Sequence, residues 1–251
     1  MKRSLWVLVL SIAATAGVAR CAHAQSADAL RLMQAINADR GRHGLGPLKW
    51  DAALARAAQG HANRMVWEPQ LSHQYEGEPD LITRAGQTGA HFRVVAENVA
   101  IGPTAQAVEV EWMHSPEHRS NILDARLNTV GIGVVERDGN LWMVADFAAG
   151  VAALGPPQIE QAVGHLLEKQ GIRPVGSASA ARQTCAMEHG SAGTARPKFI
   201  VRWEGSDLSR LPAVLEEQIH TGRFHTAAVG ACNTGNQGPG FTTYRLAVML
   251  F

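Results

Sequence analysis

The sequence has no apolar run of the roughly 20 residues that a membrane-spanning helix needs. Its most hydrophobic stretch, Leu5 to Val18, stops short of that. There are only three cysteines in 251 residues and no Cys-x-x-Cys pair, which removes zinc-finger and thioredoxin-type chemistry. No His-Glu-x-x-His step is present, so a zincin protease is excluded. An excess of charge of either sign is also missing, with 23 Lys and Arg against 22 Asp and Glu. That balance gives no electrostatic reason to expect nucleic acid or an anionic membrane as partner. The many alternating strands of an outer-membrane barrel are absent as well. Leu246 to Phe251 is apolar on both faces, the pattern of a strand buried on both sides.

What is present begins with an export signal. Met1-Lys2-Arg3 is basic, Leu5 to Val18 is apolar, and Ala22-His23-Ala24 is a small-x-small cleavage signal. Residues 1–24 are read as a signal peptide, which makes the expected location secreted or periplasmic. Cys21 raises a lipoprotein alternative, but Arg20 stands where such a signal needs a small residue. Cleavage after Ala24 removes Lys2, Arg3, Arg20 and no acid, so the counts become 20 and 22, a net charge of −2. It also removes Cys21. The remaining pair, Cys185 and Cys232, is expected to form a disulfide in an oxidising compartment.

Periodicity places helices over Ala29 to Arg40, closed by Gly41 and Gly44, and from an Asp51 cap along Leu54, Ala57, Ala58, His61 and Met65. A polar segment from Glu68 to Gly89 reads as loop with a short helix near Leu81 to Ala85. Thr104 caps a third helix through Val108 and Trp112. Ser115 caps a fourth, with Pro116 in the favoured first position. A hairpin runs from Val130 to Val135, turns at Asp138-Gly139 and returns from Leu141 to Phe147. Beyond Gly150 one more helix, Ile159 to about Gly171, precedes a Ser-, Ala- and Gly-rich loop to Pro197. A strand (199–203), a helix (212–220) and two strands (224–230 and 241–251) follow, and no internal repeat is evident. The fold class is α+β, with a first domain over 25–150 and a small α+β unit of unassigned role over 151–251.

Several segments of the first part resemble one family. Ala35-Ile36-Asn37-x-x-Arg40 with Leu45-x-Pro47-Leu48-x-Trp50 comes first, followed by Ser72-His73 and Glu97-Asn98-Val99-Ala100. Trp112-Met113-x-Ser115-Pro116-x-His118-Arg119-x-Asn121-Ile122-Leu123 and Val130-Gly131-Ile132-Gly133 complete the set. In this order they resemble the bacterial, SCP-like branch of the CAP superfamily (cysteine-rich secretory proteins, antigen 5, pathogenesis-related 1), over about Ala29 to Phe147. The resemblance implies an α-β-α sandwich with a surface cleft lined by two histidines and two glutamates. His73, Glu97 and His118 match three of these. Ser115 stands at the fourth position, where Glu111 or Glu117 could substitute only if geometry allows.

Two imidazoles and a carboxylate suit zinc or another divalent cation with an open water position. Glu97 is then the candidate general base of a hydrolase. The same three residues could instead simply tie loop, strand and helix together. His61 reads as a near-core histidine, His114 as a helix-end residue, Asn98 as a backbone bridge, Glu188-His189 as loop and Trp203 as packing. No organic cofactor is expected. Three functions stay open: binding of a divalent ion or a small or lipid ligand, metal-assisted hydrolysis of peptide or envelope material, and an envelope interaction role through residues 151–251. Oligomeric state is not legible.

Overall fold

The computed structural model describes residues 26–175, 178–194, 196–233 and 238–251. The signal segment, Cys21 and the cleavage point after Ala24 lie outside them. The first part runs α1 (Ala27–Arg42), β1 (Lys49–Trp50), α2 (Ala52–Met65), α3 (Leu81–Gln87) and β2 (Phe92–Gly102). It continues with α4 (Ala105–His114), α5 (Pro116–Ile122), β3 (Thr129–Arg137) and β4 (Asn140–Gly150). Its sheet has the order β1-β3-β4-β2, with β1 parallel to β3 and the other pairs antiparallel.

Alternation along β4 sorts the two faces of this sheet. Met143, Ala145 and Phe147 meet α1, α4 and α5 through Leu32, Ile36, Val108, Trp112 and Ile122. Val144 and Ala148 point the other way, toward α2 and α3. The result is helices, sheet, helices. Gly131 and Gly133 let α2 lie directly on β3, since a Cβ at Gly133 would sit 2.3 Å from the Ala58 carbonyl carbon.

Local chemistry explains the first motif. Asn37 exchanges two hydrogen bonds with the Leu48 backbone, at 3.0 and 2.7 Å. Arg40 is buried, and its guanidinium donates to the carbonyls of Gly46, Ile122, Asp124 and Leu127. Those bonds replace water for a buried cation and fasten α1 to the chain beyond α5. Asp51 and Thr104 cap α2 and α4 as expected. The Asp138-Gly139 turn has positive φ at both residues, 52° and 75°, as a tight hairpin requires.

Four expectations need correction. α1 passes through Gly41 and ends at Arg42, because the left-handed residue is Gly44. The spacing of Leu30 and Met33, three apart, places both on the apolar face of this helix, yet Leu30 is exposed. Ser115 occupies the N-cap position of α5 with Pro116 following it, but its side chain makes no cap bond. The segment expected as loop after Gly171 contains a helix, α7 (Ala178–Ala186), whose buried face is only Ala181, Thr184 and Cys185.

The second part comprises α6 (Pro156–Lys169), β5 (Arg173–Pro174), α7, β6 (Phe199–Gly205), α8 (Ala213–His220), β7 (Thr226–Cys232) and β8 (Tyr244–Leu250). The final strand is buried on both faces, as its apolar run implied. Leu246, Val248 and Leu250 face α6 and α8, while Met249 faces α7 through Ala181. Trp203 packs against the larger of these cores. Cys185 and Cys232 are disulfide-bonded with Cα atoms 5.9 Å apart.

This second part repeats the topology of the first. Its strand order β5-β7-β8-β6 matches β1-β3-β4-β2, and its short edge strand is likewise parallel to its neighbour. Element order agrees once α3 and α5 are removed. Thr129 pairs with Lys49, and Thr226 pairs with Arg173. Four residues beyond each Thr is a glycine under a helix: Gly133 beneath Ala58, and Gly230 beneath Ala181. The sequence showed no repeat because two aligned helix-sheet packings can share a backbone layout while sharing few side chains.

Candidate functional site

β2 is the edge strand of the first sheet, so consecutive residues present side chains to both faces near an open edge. Glu97 points to the α2–α3 side, and Asn98 to the α4–α5 side. Glu97 is buried and hydrogen-bonded to two side chains, His73 and Arg84. Its Oε1 accepts from His73 Nδ1 at 2.9 Å, and its Oε2 accepts from Arg84 Nη2 at 2.5 Å. Burial alone would raise the Glu97 carboxyl, but the His73 hydrogen bond and the Arg84 charge outweigh it and hold the group below its usual range. The same bond raises His73, mainly against the cost of burial.

His73 itself is well exposed, its side chain retaining 59% of its accessible surface. Its loop is fixed from beneath. Arg84 Nη1 donates to the carbonyls of His73 and Pro79, both at 3.2 Å. His61 is fully buried, with Nδ1 2.7 Å from Glu78 Oε1 and Nε2 3.0 Å from the Ser72 carbonyl. The near-core role read for His61 is therefore specific: it anchors the loop that carries His73.

His118 comes to the site from α5. Burial first, then the charge of His73, lower its pKa, so the two imidazoles share one electrostatic environment and shift in opposite directions. Its Nδ1 is buried with no hydrogen-bond partner among the described residues, and its ring lies 6.2 Å from that of Trp112. Asn98 donates to the His118 carbonyl at 3.1 Å, and Asn121 donates to Asn98 and to the Glu97 carbonyl. Asn98 thus bridges backbone, as its residue type suggested. Glu111 and Glu117 are exposed and act on His118 through charge. His114 is exposed and bonds the Val110 carbonyl at the end of α4.

Two members of the cluster were not legible as site residues. Arg84 lies in a short helix of a polar segment, where an arginine is usually a solvated charge. Asp146 is fully buried opposite Glu97, and its carboxyl is held well above the usual carboxylate range by burial and by the Glu97 charge. An acid in the middle of the apolar run Leu141 to Phe147 was the available signal.

The arrangement bears on the zinc reading. Both Glu97 oxygens are engaged, and a guanidinium at ion-pair distance would repel a dication there. Among the described residues no three His, Cys, Asp or Glu side chains are placed to hold a metal ion. As placed, His73, Glu97 and His118 do not make a zinc ligand set. A carboxylate with a depressed pKa and two partners is also a poor general base. The geometry can instead present one imidazole biased toward its charged form and one biased toward its neutral form at the same edge.

The cysteine-rich secretory protein (CAP) family profile matches residues 33–147. The uncharacterised protein YkwD of Bacillus subtilis (strain 168) is 30% identical over 113 residues, covering 45% of this chain and 44% of that protein. The uncharacterised membrane protein YlbC of the same organism is 29% identical over 111 residues, covering 44% of this chain and 32% of that protein. The chain thus spans less than half the length of the curated relatives it matches. An extracellular SCP-domain protein of Bacillus anthracis, known from a crystal structure, is 27% identical, covering 47% of this chain and 39% of that one with a TM-score of 0.45. Residues 33–147, the helices and sheet that build the His73–Glu97 edge, are a domain of the cysteine-rich secretory protein (CAP) family.

Proposed function

We propose that the chain is a secreted CAP-domain protein whose first unit binds a small polar ligand through His73 and His118. The observation that carries this reading is the support beneath His73. An exposed imidazole is held from below by a buried carboxylate–guanidinium pair and a second buried histidine, so its orientation is set before any ligand arrives. Preorganisation of that kind lowers the ordering cost of binding.

The test uses mature protein with labelled histidines, titrated separately with zinc chloride, small carboxylates, sugars and short-chain lipids. A ligand of this site moves the His73 and His118 ring signals together, and His73→Ala weakens it at least tenfold. If no probe moves either ring, the reading fails. Zinc bound equally by the parent and by the His73→Ala and His118→Ala variants would place any metal elsewhere. Export is tested by N-terminal sequencing of the released protein, with Gln25 expected as the first residue.

The opposite shifts of the two histidines favour one second reading, acid–base hydrolysis with His118 as base and His73 as acid. Turnover of a peptide or envelope substrate that falls at least a hundredfold in His118→Ala would establish it. Activity that survives that substitution would sink it.

A further inference from the structure

The geometry points to Asp146 as a positioning residue of the same site: as a neutral carboxylic acid, it donates a hydrogen bond to Glu97 and fixes the carboxylate that orients His73. This rests on the reading of His73 as a binding group. Three observations carry it.

The first is register. Glu97 and Asp146 are directly paired across β2 and β4 and project to the same face. The second is isolation. Asp146 is fully buried, and among the described residues no N–H or O–H donates to either of its oxygens. The polar side chain beside it, from the directly paired position on the same face, is the Glu97 carboxyl. Two adjacent carboxyls out of water do not both ionise. Glu97 has His73 and Arg84 to compensate its charge, so Asp146 is the member that keeps the proton. As an acid, it satisfies its own O–H and supplies Glu97 with a third hydrogen bond.

The third observation is the internal repeat. Two residues beyond Thr129 is Gly131, which pairs with Asp146, which in turn pairs with Glu97. Two residues beyond Thr226 is Ala228, which pairs with Met249, which pairs with Ile200. The same backbone positions thus hold two carboxyls in one unit and two apolar side chains in the other. Ile200 and Met249 pack with Ala181 and Ala228 and make an ordinary core. Packing therefore does not require acids at this place. The buried pair in the first unit has another task, and the group it touches is His73.

The test compares Asp146→Asn, Asp146→Met and the double variant Glu97→Ile/Asp146→Met in the full mature chain. Asparagine keeps a donor without a charge, and methionine is the residue the second unit uses. The main readout is the His73 ring NMR signal in the unliganded protein, which needs no ligand identity, with thermal unfolding as the folding control. Asp146→Asn is expected to leave the His73 signal near its parent position. Asp146→Met is expected to fold yet shift that signal and broaden it, because Glu97 loses its fixed orientation. The double variant leaves the buried Arg84 guanidinium without its carboxylate, so it is expected to unfold below the parent, with the His73 signal displaced at least as far as in Asp146→Met. The assignment is overturned if Asp146→Met leaves the His73 signal unchanged, or if Asp146→Asn shifts it as far as methionine does. A correct result here with no probe binding in the titrations above would uphold Asp146 and reject the ligand reading.

Discussion

Glu109 on α4 shows how strongly one buried side chain can tie stability to pH. It is only 3% exposed, its Oε1 has no partner among the described residues, and Gln106 Nε2 reaches its Oε2 at 3.2 Å. Burial, then the hydrogen bond and charge of Asp39 on α1, push its carboxyl up to about 7 from 4.5. Asp39 moves down, because its bonds to Glu109 and Arg42 outweigh burial. A carboxyl raised on folding stabilises fully below its unfolded pKa, and that stability is lost as pH rises through the folded value. The expected loss between about pH 4.5 and 7.5 is on the order of 2 to 3 kcal/mol for this group. Glu109→Gln should flatten that slope in urea melts at pH 5 and pH 8; an unchanged slope would show that Glu109 is not its source. At this scale the sequence was informative where a residue type carries its own reason. His73, Glu97 and His118 were legible from their motifs, and Asn98 from its amide. Arg84 and Asp146 were not, because an arginine in a polar loop and an acid in a strand take their meaning from neighbours distant in the chain.

At the level of elements, helix against strand is the recurring contact, and glycine sets its distance. A Cβ at Gly133 would sit 2.3 Å from the Ala58 carbonyl carbon, and one at Gly230 would sit 2.1 Å from the Ala181 carbonyl carbon. In both places the obstruction is backbone, which cannot rotate away. Gly133→Ala and Gly230→Ala should each destabilise by roughly 2 to 4 kcal/mol, the range of overpacked cores and backbone shifts. Denaturant midpoints measure this, and a neutral Gly230→Ala would show that α7 can lift off β7 freely. Capped helices and the hairpin were readable because caps, turn glycines and apolar spacing are local signals. α7 was not. Its surroundings are rich in Ser, Ala and Gly, and contact with β7 and β8 together with the Cys185–Cys232 bond gives it a reason to be helical.

Across the whole molecule, the two sheets are joined where β2 begins. Phe92 N–H donates to the Gly240 carbonyl, Thr242 N–H donates to the Phe92 carbonyl, both at 2.9 Å, and the Phe92 and Phe241 rings meet edge to face at 5.2 Å. The Tyr244 hydroxyl donates to the Ala152 carbonyl across the same seam. The disulfide closes 47 residues of the second unit, worth about 4 kcal/mol in the chain-entropy picture. Reduction should therefore lower the melting of residues 156–250 by at least about 10 °C and leave the His73 ring signal in place below that transition. Loss of the His73 signal on reduction at 25 °C would mean that the seam, not each core, holds the first unit together. The sequence by itself determined the α+β class, the helices of the first unit, the hairpin, the family resemblance and the pair of cysteines. All of these rest on periodicity, turn chemistry or short motifs carried by neighbouring residues. Only the tertiary structure decided that Glu97 is enclosed by Arg84 and Asp146, and that residues 156–250 repeat the layout of residues 27–150. The physical reason is that strand register and helix-on-sheet contact are fixed by burial between distant segments, and different side chains can fill the same backbone frame.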